Sequence, residues 1–102
     1  MSTFEVNVRD ETETSNAWLF RVDVRSGGMI EPRSITLRLA WVDYNHWSPE
    51  GTARPEDVAH AALRFLLAQQ PVLELHDEID AARIRRMYPD ADERIPLLIA
   101  RR

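Results

Sequence analysis

Residues 40–47 read AWVDYNHW, which gathers two tryptophans, a tyrosine, a histidine and an aspartate in one short stretch. On a helix, Trp41, Tyr44 and Trp47 follow at i, i+3 and i+6 and form one drifting stripe. Asp43 and His46 lie three apart and share another face. The stripe suits packing on a core, because each aromatic can bury on the order of 150–250 Å². It also suits an interface, because Trp and Tyr are enriched at binding hot spots. Asp43 could orient the His46 imidazole, but no nucleophile at a defined spacing completes a catalytic set. The expected binding patch is therefore Trp41, Tyr44, Trp47 and His46, and no catalytic residue is assigned.

The other chemistry-bearing residues have plainer readings. His46, His60 and His76 sit on three different segments, and the close i, i+4 spacing of helical metal ligands is missing, so no metal or cofactor is expected. His60 falls in the polar arc of its helix near Glu56 and Arg64, and reads as solvated. His76 falls on an apolar face and reads as a core histidine. HDEID at 76–80 lacks the alternating ligands and the glycine of a calcium loop. Arg83, Arg85 and Arg86 fan over one side of a helix, followed by Arg94, Arg101 and Arg102, and could bind an anion. Glu74, Asp77, Glu78, Asp80, Asp90, Asp92 and Glu93 balance them, and no interleaved aromatics offer bases a stacking surface. Gly27-Gly28 opens no helix at phosphate-loop distance and reads as a turn.

These residues must be positioned by a small set of elements. Phe4, Val6 and Val8 alternate with polar residues, as do Trp18, Phe20, Val22 and Val24, and again Ile35, Leu37 and Leu39. Period-2 alternation predicts strands at about 3–9, 17–25 and 34–40, forming an antiparallel sheet with one apolar face. Arg38 is expected to pair across strands with Asp23. DETETSN at 10–16 reads as a connection. Three to four helices are expected, at about 41–47, 55–69, 72–79 and 81–88, packed on that apolar face. Pro55-Glu56-Asp57 is a strong helix start, with proline first and two acids at the positive end of the macrodipole. The 55–69 helix is apolar almost all round, as suits an element buried on more than one side. Val72, Leu75, His76 and Ile79 share a helical face, and Asp80 caps the next helix with its Ile84, Met87, Tyr88 stripe. IPLLIA at 95–100 adds apolar surface near the end.

The 102 residues suit one α+β domain spanning 1–102. Apolar residues at 44% and charged residues at 29% are ordinary for a globular chain. With no cysteine, disulfides, thiol chemistry and cysteine zinc sites are excluded, and a reducing cytoplasm fits. MSTFEVNVRD lacks the basic and apolar regions of a secretory signal. No apolar run approaches the roughly 18–20 residues that span a bilayer, so no membrane role is expected. A net charge of −4 argues against duplex nucleic acid as a partner. All 13 cations are arginine, which favours planar pairing with carboxylates.

Residues 36–90 carry Thr36-Leu37, Tyr44, Gly51, Pro55-Glu56, Phe65-Leu66-Leu67, Pro71, Leu75, Ile79-Asp80, Ile84 and Met87-Tyr88-Pro89. In this pattern the chain resembles a family of small bacterial proteins of uncharacterised function, with Ile79 and Met87 where aromatic residues are usual in that family. Its motifs are caps, breakers and core residues, so the resemblance implies a fold and no mechanism. The expected function is a non-enzymatic module that binds a protein partner or a second copy of itself. The motivation is an apolar surplus over what one small sheet can cover. A nucleic-acid-associated regulator acting through the C-terminal arginines is the alternative. A small hydrolase using Asp43 and His46 ranks behind both.

Overall fold

A computed structural model describes residues 4–100. Three strands, β1 (Phe4–Glu13), β2 (Ala17–Ser26) and β3 (Arg33–Ala40), form an antiparallel meander. Helices α1 (Trp41–Trp47) and α2 (Pro55–Gln69) follow. A single 3-10 turn (Val72–Glu74) then leads to β4 (Glu78–Asp80), which joins the sheet parallel to β3. Two short helices close the fold, α3 (Ala81–Met87) and α4 (Ala91–Leu98). The sheet order is β1-β2-β3-β4. Among the described residues the architecture is thus α+β, with a four-stranded mixed sheet and four helices.

The alternating apolar residues of the strands all turn to one face. Phe20, Val22, Val24, Ile35, Leu37 and Leu39 are buried there. Helix α2 lies over that face, with Val58, Ala59, Ala61, Ala62, Leu63, Phe65 and Leu66 buried. Its far side packs on α4 through Ala91 and Ile95, and on α3 through Ile84, which explains its nearly continuous apolar surface. Each fully buried Leu, Ile or Phe contributes about 1.5–3 kcal/mol. Tyr88 ends α3 and meets Phe65 edge-on at 5.6 Å between ring centroids. IPLLIA supplies the last turns of α4. Pro96 lies inside that helix, Ile95 and Ile99 are buried, and Leu97 and Leu98 face out.

Several elements differ from the sequence expectation. The segment 72–79 is not a helix. Its apolar spacing at 72, 75 and 79 is helical, but the free edge of β3 captures Glu78–Asp80 as a strand and leaves only the single 3-10 turn at Val72–Glu74. The Thr36 N–H donates to the Asp77 carbonyl (2.8 Å), and Ile79 sits in register with Leu37. His76 is consequently exposed rather than in the core. The first strand continues through Asp10–Glu13, because the register shifts between Val8 and Asp10. This bulge adds one residue and swaps the faces, so Glu11 pairs with Phe20 and Glu13 with Trp18. Arg38 does not pair with Asp23. The register sets Arg38 opposite Leu19 and Asp23 opposite Ser34, so Arg38 binds Asp80 (3.4 Å) and Asp23 binds Arg9 (3.3 Å). Asp80 also caps α3, accepting from the Ala82 N–H at 3.0 Å, as the sequence indicates.

His60 is half-buried rather than solvated. It lies on α2 against β1 and hydrogen-bonds the Val6 backbone. Burial lowers its pKa first and the neighbouring Arg64 adds to this, while the Val6 bond and Asp57 oppose it. The unfolded chain therefore takes up a proton at His60 more readily than the fold does. Stability is intact above the ordinary histidine value of 6.5, and falls as pH drops through 6.5 toward the lowered folded value. Urea unfolding followed from about pH 7.5 down to about pH 5, which brackets the ordinary histidine value, is expected to show this loss. The slope is expected to flatten in His60→Gln.

Candidate functional site

Helix α1 is the element that carries the AWVDYNHW chemistry, and its two sides have opposite environments. The inner side is anchored. Tyr44 is buried and its hydroxyl donates to the Ala53 carbonyl. Trp47 is 1% exposed, and its indole Nε1–H donates to Asp92 Oδ1 at 2.8 Å. Asp43 is also 1% exposed, and its Oδ1 accepts from Arg85 Nη1 at 3.0 Å. Arg85 in turn grips both oxygens of Asp92, Nε to Oδ1 at 2.9 Å and Nη2 to Oδ2 at 3.1 Å. One guanidinium on α3 thus ties a carboxylate of α1 to a carboxylate of α4. Planar, bidentate arginine geometry allows this, and a lysine ammonium lacks it.

The electrostatics follow from that geometry. The Asp92 hydrogen bond pushes the Arg85 pKa above its usual value against desolvation, and Asp43 adds to the shift. The Arg85 hydrogen bond holds the Asp92 carboxyl below the ordinary carboxylate range, against the opposing effect of burial. The Trp47 indole and the nearby His46 contribute in the same direction. Among the described residues Asp43 Oδ2 has no hydrogen-bond partner, which makes its carboxylate dependent on Arg85.

The outer side of α1 presents Trp41, Val42, Asn45 and His46. Trp41 is 42% exposed and Val42 59%. Trp41 begins the helix, and its N–H donates to the Asn16 carbonyl (3.0 Å) in the turn between β1 and β2. Its ring leans on Trp18 of β2, with centroids 6.1 Å apart and planes at 44°. Trp18 in turn meets Tyr44 edge-on at 5.3 Å. The three rings form a continuous step from the core to the surface.

These positions revise the sequence-derived sites. The four residues of the expected patch divide: Trp41 and His46 face outward, whereas Tyr44 and Trp47 are inner anchors. Asp43 and His46 do not meet as a dyad, because Asp43 is buried on Arg85 and His46 is exposed. The arginine fan divides as well. Arg85 is committed to Asp43 and Asp92, which leaves Arg83 and Arg86 exposed. Arg83 reaches the Met87 sulfur (3.5 Å), and Arg86 forms no ion pair among the described residues. Also among the described residues, no three His, Asp or Glu side chains converge in metal-binding geometry. No helix among the described residues is long and apolar enough to cross a membrane. A cleft of about 340 Å³ opens beside Trp47, between Ser48, Glu50, Arg54 and Ile99. Its polar groups are engaged with one another: Ser48 accepts from the Ala53 N–H and donates to Glu50, and Arg54 pairs with Glu56.

Trp18 is the participant that sequence reasoning treated only as a strand residue. Its signal was its place as the first large apolar residue of an alternating strand, directly after a polar turn.

Removing one partner of a buried ion pair strands the other, at a cost of about 3–5 kcal/mol. Arg85→Ala is expected to lose stability in that range by urea unfolding. Asp43→Ala combined with Arg85→Ala is expected to lose less than the two single losses added together. No protein-family model, curated protein or solved structure matches the chain.

Proposed function

We propose that the chain is a small non-enzymatic interaction module of a bacterial cytoplasm that holds a protein partner on the outer side of α1. The observation that carries this reading is the exposure of Trp41 and Val42 over the half-buried Trp18. A tryptophan backed by another ring and held on an anchored helix is pre-organised, so little side-chain entropy is lost when a partner covers it. Rigid aromatics of this kind supply much of the binding energy at protein interfaces. The resemblance to small bacterial proteins supports the setting.

Self-association is the second reading, favoured by Leu97, 82% exposed on α4, and by Leu98 beside it. Light scattering on a sizing column separates the two, because a monomer removes self-association.

Iodide is expected to quench Trp41 fluorescence and leave Trp47 shielded, as read from single-tryptophan variants. A photo-crosslinking residue at Val42 is expected to form a discrete protein adduct in bacterial cells. The same residue at Ser34, on the open face of the sheet, is expected to form none. Equal adducts at both positions, or none at Val42, would contradict the reading.

A further inference from the structure

We propose that the aromatic step at the β1–β2 turn receives an arginine-bearing, extended segment of the protein partner. This rests on the interaction-module reading and names the chemistry of what it binds.

The first observation is the company that the tryptophans keep. Because of the bulge after Val8, Glu11 and Glu13 lie on the same sheet face as Phe20 and Trp18, and Glu13 sits directly across from Trp18. Both glutamates are exposed, and neither forms an ion pair among the described residues. A half-buried indole that steps out to an exposed one, beside carboxylates that form no ion pair among the described residues, is complementary to a cation. The ring quadrupole attracts the charge, and the carboxylate accepts its hydrogen bonds. Arginine fits better than lysine, since its planar guanidinium stacks on an indole and still offers N–H groups to a carboxylate at its edge.

The second observation is the neighbouring backbone. β1 is the outermost strand, paired only with β2 among the described residues. Beyond the bulge it reads Asp10-Glu11-Thr12-Glu13, with all four residues exposed. Over its whole length it carries Glu5, Asp10, Glu11 and Glu13 against Arg9, which is already bound to Asp23. An acidic edge repels the same edge of a second copy and accepts a basic strand, because like charges across a pair disfavour pairing and opposite charges favour it. An added strand with arginine at alternate positions would lay its cations on the face shared by Glu11, Glu13 and Trp18.

The test titrates the full chain with a short peptide alternating arginine and valine, read by tryptophan fluorescence. A glutamate–valine peptide serves as control. Saturable binding of the arginine peptide is expected, weakening as salt rises, with no response to the glutamate peptide. Glu11→Gln with Glu13→Gln, and separately Trp41→Ala, are each expected to weaken binding by about tenfold. All three residues are exposed, and an unchanged urea midpoint establishes that the variants fold. Absent binding, equal binding of the glutamate peptide, or affinity that ignores these variants would overturn the proposal. If Val42 still cross-links a protein in cells while the arginine peptide stays silent, the cation chemistry falls and the interaction face stands. Loss of both signals removes both.

Discussion

The ion pair between Arg85 and the buried carboxylate of Asp43 decides which way α1 faces. A seven-residue helix has little stability of its own, since the cost of nucleation is spread over few hydrogen bonds. Its orientation must come from tertiary contacts. Asp43 cannot leave the interior without breaking its bond to Arg85, and cannot stay there without it. Arg85 is held in turn by both oxygens of Asp92, and Asp92 by the Trp47 indole. With Asp43, Tyr44 and Trp47 turned inward, the helical period leaves Trp41, Val42 and His46 outside. The candidate surface is therefore a by-product of where the charge is buried.

This explains why the fold was more legible than the site. The alternation of β2 and β3 specifies one buried face, and Pro55-Glu56-Asp57 specifies where α2 begins. Both are local signals. β4 is three residues long with one apolar side chain, and only its pairing to β3 distinguishes it from the end of a helix. The bulge near Arg9 lies at the edge of a polar run with no alternation to betray it, so Glu11 and Glu13 read as a loop. The link from Asp43 to Arg85 crosses 42 residues. No periodicity reports such a pair, and Arg85 looked like one of three similar cations on a helix surface.

The arginine-only cations take different roles in the structure. Arg85 locks three helices together, and Arg33 stitches β3 to the Val72 carbonyl and to Asp77. Arg64 lies over the Phe4 ring and Arg94 over Phe65, at 5.4 and 5.6 Å from the ring centres. Arginine suits all of these because it pairs in a plane and stacks. Among the described residues, the acids of β1 beyond the bulge, Asp10, Glu11 and Glu13, form no ion pair and stay exposed at the turn end of the sheet.

The central claim is that the buried charge positions the exposed aromatic pair. It is tested most directly by NMR, following exchange of the indole N–H protons and the ring–ring contacts of Trp18 and Trp41. In the unmodified chain, the Trp47 indole proton should exchange slowly and that of Trp41 rapidly. In Arg85→Ala, the Trp47 protection and the Trp18–Trp41 contact should be lost together. A Trp47 proton that exchanges as fast as that of Trp41 in the unmodified chain would contradict the account. So would a Trp18–Trp41 contact that survives unchanged without Arg85.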